Sequence, residues 1–186
     1  VSCNAMTRVI YISILFGLLS CGNNDLKKEN IKNTNMNDDP STILRIISTN
    51  PSYIPEKEKQ ELAKDFLTTL YSKNVIKSIY LDTIEFVDQG QNFDSIICSS
   101  CTKDIDIENW QNAMEKAELS QFTQLTFKTP CCSKMTSLND LRYVTTAGFA
   151  KFILIVDDPE KEIESNEIAE LQLILNTPLK IIYTHY

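Results

Sequence analysis

The chain has 186 residues, 42% of them hydrophobic and 23% charged, enough to bury a core without help from metals or disulfides. Its formal net charge of −7 argues against a protein that grips the nucleic-acid backbone, which needs clustered Lys and Arg. Its 6 cysteines therefore need a chemical reason of their own.

The N-terminal region reads as an export signal. Met6-Thr7-Arg8 gives a short positive segment, and Val9 to Leu19 is an apolar run too short for a membrane span. Leu18-Leu19-Ser20-Cys21 then resembles the lipobox of bacterial lipoproteins, in which the cysteine is lipidated and becomes the mature N-terminus. Residues 1–5 precede the expected start at Met6, so Cys3 falls outside the functional set. Residues 22–40 are rich in Asn, Lys and Asp, with too little apolar surface to offset the entropy of ordering. They read as a tether between a membrane anchor at Cys21 and a single folded domain at 41–186.

Within that domain, Ser41 to Ile47 is expected as a short helix stopped by Asn50-Pro51. A second helix is expected between Pro55 and Asn74, where Leu62, Phe66, Leu67, Leu70 and Tyr71 keep helical spacing and Glu56 and Glu58 sit early. Ile79 and Leu81 alternate in one phase and Ile84 and Phe86 in the other, which places a bulge near Asp82-Thr83 in a strand. After a turn at Gln89 to Asn92, Phe93 to Cys98 reads as a strand. Asp104 and Asp106 offer caps for a helix burying Ile107, Trp110, Met114 and Ala117. Thr123, Leu125, Phe127 and Thr129 alternate as a strand that ends at Pro130.

Beyond a loop at Ser137 to Asp140, Gly148 to Val156 is a long apolar strand ended by Asp157-Asp158-Pro159. Ile168, Leu171 and Leu175 mark a last helix closed by Asn176-Thr177-Pro178, and Leu179 to His185 is a final strand. From Phe93 onward the order is strand, helix, strand, strand, helix, strand. That predicts an α+β domain with a ferredoxin-like βαββαβ sheet, preceded by an extra strand and two helices.

The chemistry concentrates in Cys98-Ser99-Ser100-Cys101 and Cys131-Cys132. Two close pairs of thiols suit a four-sulfur structural zinc site, provided the backbone turns at Cys131 so that both adjacent cysteines reach the metal. Disulfides between the two pairs are the main rival, since an exported protein meets an oxidising compartment and a bridge between adjacent cysteines is strained. A thiol–disulfide redox pair at Cys98 and Cys101 is a third reading, opposed by the helix starting only near Ile107, too far on to activate the first thiol. Four buried free thiols are the fourth.

Several segments carry a family resemblance: Phe86 to Phe93, the Cys98 and Cys101 pair, Asn109-Trp110, Pro130-Cys131-Cys132, Ser137 to Leu141, Ala147 to Phe152, and Thr184-His185-Tyr186. From about residue 86 to 186 the sequence is similar to a group of uncharacterised bacterial proteins with a zinc-ribbon-like CxxC…PCC pattern. The resemblance implies metal-binding turns and no particular activity. Thr102 and Ser133 stand where glycine commonly follows each cysteine pair of such turns, and Ser99-Ser100 lacks the proline often found in the first.

Catalytic groups are few. His185 is the 1 histidine and reads as an ordinary strand residue, Asp157 and Asp158 read as turn residues, and Trp110 as core. No phosphate loop or nucleophile elbow is present. The expectation is a lipid-anchored protein of the cell envelope with a cysteine staple, acting as a binding module toward another protein and not toward nucleic acid. The competing class is a thiol–disulfide redox enzyme using Cys98 and Cys101.

Overall fold

The computed structural model describes residues 42–91 and 94–185. The expected signal, the lipidation site Cys21 and the tether lie outside the described residues. Among the described residues, no helix is long and apolar enough to cross a membrane.

The first element corrects an expectation. Thr42–Ser48 is not a helix but a strand, β1, paired antiparallel on both sides. Its neighbours are β7 (Gly148–Asp157) and β8 (Leu179–His185), with Ile46 opposite Leu154 on one side and Ile181 on the other. A central strand with both faces buried places apolar residues on both sides of its pleat, here Ile43, Leu44, Ile46 and Ile47 around Arg45, and over seven residues such a set also satisfies helical spacing. The β-branched side chains Thr42, Ile43, Ile46 and Ile47 favour the pleated choice once partners are available.

Helix α1, Lys57–Leu70, follows as expected from its spacing, burying Gln60, Ala63 and Leu67. Leu62, expected on the buried face, is exposed. No side chain caps the start from Glu56; the Gln60 amide instead donates to the Pro55 carbonyl at 2.6 Å. Strand β2, Ile76–Val87, pairs with β7, and the expected bulge is present as a register break between Tyr80 and Glu85. Helix α3, Ser165–Leu175, begins with a reciprocal capping box between Glu164 and Glu167 and ends on Asn176 in the left-handed conformation.

The four long strands form one antiparallel sheet in the order β2-β7-β1-β8. Leu67 of α1 and Leu171 and Leu175 of α3 pack with Leu44, Ile46 and Leu154 into a core on one face. On the other face, Ile47, Ile153, Ile155 and Ile182 gather into a second cluster.

The ferredoxin-like sheet expected from Phe93 onward is not formed by those elements, and one helix, not two, precedes the cysteine region. Strand β3 (Ile96–Ile97), helix α2 (Ile107–Glu118) and strand β4 (Thr126–Lys128) stand outside the four-stranded sheet. With β5 (Met135–Ser137) and β6 (Arg142–Tyr143) they make an insertion between β2 and β7. There β3 pairs with β6 and β4 with β5, each as a two-stranded ribbon. Alternation marks a strand but not its partner, so a ribbon and a sheet strand look alike in sequence.

The insertion shares a core with the adjoining ends of β2 and β7. Phe86 meets Trp110, Tyr143 and Phe149 with ring centroids 5.7, 5.7 and 5.1 Å away. The Trp110 indole N–H donates to the Tyr143 hydroxyl at 3.2 Å, which donates to the Leu138 carbonyl at 2.9 Å. Ala113 and Ala117 are the buried residues of α2, while Ile107 is left exposed. Polar pins fasten this region to the sheet. Lys180 Nζ donates to the Asn139 carbonyl (2.7 Å), Asn139 Oδ1 (3.1 Å) and the Ala147 carbonyl (3.4 Å), and Asn139 Nδ2 donates to the Thr49 carbonyl (2.8 Å).

Candidate metal centre

Two hairpins in the insertion deliver the four thiols. In the first, Ile97 bridges to Asp104, and the chain turns so that Cys98 N–H donates to the Lys103 carbonyl at 2.9 Å and Thr102 N–H to the Cys98 carbonyl at 2.9 Å. The second is the β4–β5 hairpin, closed by Thr129 N–H to the Lys134 carbonyl at 2.8 Å and Ser133 N–H to the Thr129 carbonyl at 2.9 Å. Thr102 (φ 58) and Ser133 (φ 60) are both in the left-handed region. These are the two positions where the sequence carries a side chain in place of the usual glycine, and the backbone there takes the conformation glycine favours.

The hairpin tips face each other. Cys98 Sγ lies 3.8 Å from Cys132 Sγ, and Cys101 Sγ lies 3.3 Å from Cys131 Sγ. The ligand atoms of all four cysteines fall within 4.8 Å of one another. A tetrahedral ion with metal–sulfur bonds of about 2.3 Å has sulfur–sulfur edges of about 3.8 Å, so the cluster has the right size to hold a metal ion. A disulfide needs about 2.05 Å, and all four thiols are free. The backbone turns through Pro130 to Cys132, so the two adjacent cysteines both join the cluster instead of pointing to opposite faces.

Local dipoles set the thiol chemistry. Burial pushes the Cys98 thiol up, but the N–H groups of Ser100 and Cys101 and the thiols of Cys131 and Cys101 outweigh it and bring the group down to about 6. Cys132 is also lowered, by the Thr129 hydroxyl first and the Lys134 N–H second, against its burial. Burial and the neighbouring Cys101 and Cys98 push Cys131 up to about 12. The cluster thus favours giving up protons from some of its sulfurs, as metal binding by thiolates requires.

All four cysteines singled out from spacing are brought together. Sequence reasoning missed Thr129, whose Oγ1 is 3.1 Å from Cys132 Sγ and which is only 1% exposed. A threonine one residue before a proline carries no metal-ligand signature, so only the hairpin register exposes its role. It also missed Ser99 and Thr136, whose hydroxyls meet at 3.3 Å and link the hairpins. The other residues considered do structural work. His185 Nδ1 contacts Thr42 Oγ1 at 3.0 Å within the sheet, Asp157 pairs with Lys77, and Asp158 (φ 51) turns the chain after β7. No protein-family model, curated protein or solved structure matches the chain.

Proposed function

We propose that the chain is a lipid-anchored, extracytoplasmic binding module whose folded part is stapled by one structural zinc ion on Cys98, Cys101, Cys131 and Cys132. One observation carries the reading: four sulfurs from two separate hairpins converge within 4.8 Å, at the dimensions of a tetrahedral thiolate site and not of disulfides. An all-sulfur donor set selects a soft or borderline ion such as zinc over calcium or magnesium. With all four sulfurs bound the ion has no open position, which suits a structural role.

The scaffold is read as a ferredoxin-like core interrupted between β2 and β7. Its support is the strand order, in which the connections β1-α1-β2 and β7-α3-β8 each skip one strand of an antiparallel sheet. The inserted hairpin pair is read as zinc-ribbon-like, in keeping with the resemblance of residues 86–186 to the bacterial family. The Met6 to Cys21 signal pattern and the polar segment after it support an envelope location on a tether. The redox alternative is disfavoured because Cys98 is fully buried, away from a disulfide substrate.

The test is zinc content together with a free-thiol count on chain extracted from the membrane fraction and purified without chelator. One zinc and four thiols that become reactive on chelation support the reading. Absence of metal with an easily reduced Cys98–Cys101 bridge overturns it in favour of the enzyme. Radiolabelled palmitate incorporation, lost in Cys21→Ser, tests the anchor separately.

A further inference from the structure

The two hairpins repeat one turn. Cys98 N–H bonds the Lys103 carbonyl as Thr129 N–H bonds the Lys134 carbonyl, and Thr102 N–H bonds the Cys98 carbonyl as Ser133 N–H bonds the Thr129 carbonyl. The left-handed residues Thr102 and Ser133 coincide in this matching. Cys101 therefore corresponds to Cys132, and Cys98 corresponds to Thr129. Cys131 corresponds to Ser100, a residue inside the first turn that supplies no ligand atom. A two-cysteine turn of this kind holds metal through its first and fourth residues. The second turn has its first residue replaced by threonine and a cysteine at its third.

We propose that in the second hairpin the first metal ligand has moved from position 129 to position 131, so that Cys98 and Cys132 are anchored ligands and Cys131 is a detachable one. The inference rests on the metal reading above and deepens it. Cys98 Sγ receives the N–H groups of Ser100 and Cys101, the bonds that the first residue of such a turn is placed to accept. Cys132 Sγ receives the Lys134 N–H and lies 3.1 Å from the Thr129 hydroxyl, which also reaches the Lys134 carbonyl at 3.1 Å, so Thr129 is a positioning residue that keeps a polar contact where a ligand sulfur would stand. Cys131 Sγ is approached by the thiols of Cys101 and Cys98. Hydrogen bonds from the surrounding shell fix a ligand's direction and slow its departure, and Cys98 and Cys132 have them from the backbone. If Cys131 leaves and takes up a proton, three sulfurs would hold the ion and its fourth position would open to an incoming thiol, which binds as the thiolate after giving up its own proton.

Cobalt(II) in place of zinc on the full chain tests this, since thiolate-to-cobalt absorption scales with the sulfurs bound. Cys131→Ser is expected to keep cobalt with about a quarter less of that absorption and a weakened affinity. Cys132→Ser is expected to weaken affinity further than Cys131→Ser does. The double variant T129C/C131S is expected to restore the four-sulfur spectrum and to release metal to a chelator more slowly than the parent chain. Thr129→Val is expected to shift the charge-transfer band, with Thr129→Ser restoring it. If T129C/C131S behaves as Cys131→Ser does, or if Cys131→Ser and Cys132→Ser are indistinguishable, this inference is overturned and the metal reading stands. If the parent chain takes up no cobalt, both are overturned.

Discussion

Replacing Thr102 and Ser133 together by glycine should stabilise the protein, although it removes two side chains. Both residues have φ near +60, at 58 and 60. A β-carbon in that region costs roughly 1–2 kcal/mol per residue. Against this, glycine adds about 0.4–1 kcal/mol of unfolded-state entropy per site, and Thr102 loses an exposed bond from its hydroxyl to the Cys101 carbonyl at 2.7 Å. The net expectation is a gain of about 1–2 kcal/mol for the pair. With a urea slope of about 2 kcal/mol/M, that raises the unfolding midpoint by roughly 0.5–1 M. The chain's 1 tryptophan is Trp110, in the insertion core beside the hairpins, so its fluorescence reports on the region affected. Asn176→Gly is the control: Asn176 has φ 54, but asparagine tolerates that region, so its midpoint should move by only a few tenths of the same scale. A lower midpoint for the double-glycine chain at unchanged slope refutes the view that these turns are strained by their side chains.

Two further outcomes follow from the packing. Lys180→Met keeps the apolar stem but leaves three carbonyl acceptors, at Asn139 and Ala147, without their shared donor, and should cost about 2 kcal/mol in urea unfolding. Glu167→Ala should cost about 1–2 kcal/mol at neutral pH, because Glu167 accepts from Glu164 N–H (2.8 Å) and from Lys161 Nζ (2.6 Å). Burial pushes the Glu167 carboxyl up, but those two donors outweigh it and hold the group below its ordinary value. Its contribution is therefore complete above the ordinary carboxylate pKa of about 4.3 and fades as pH falls through the depressed folded value. The stability gap between the parent chain and Glu167→Ala should accordingly close in acid, as acid titration followed by circular dichroism can measure.

Helices α1, α2 and α3 were legible because each repeats apolar residues at helical spacing over about two to three turns, as Ile168, Leu171 and Leu175 do on α3. β1 was not, because Ile43, Leu44, Ile46 and Ile47 fit both periods when both faces of a strand are buried. The sheet itself was misassembled from sequence. Phe127 alternates with its neighbours as a sheet residue does, yet its partner is Thr136 in the next few residues, and nothing in the alternation distinguishes a local hairpin from a distant strand. The cysteine cluster was legible because thiols are rare and their spacing is short. Thr129 was invisible for the opposite reason: a hydroxyl becomes informative only when the turn around it is superimposed on the other.

The register at the mouth of the insertion has a consequence for how this protein can be taken apart. Val87 and Gly148 face each other across the β2–β7 ladder, so residues 88–147 leave and re-enter the sheet through neighbouring positions about 5 Å apart. Closing that gap with a tight turn demands no change in strand order, and loop-closure entropy grows only with the logarithm of the length removed. The insertion is therefore in the position of a cartridge in a socket. The sheet and its two helices keep their strand order without it, while the paired hairpins share their core with Phe86 of β2 and Phe149 of β7 and are pinned to Thr49 and Lys180, contacts that any graft must also supply.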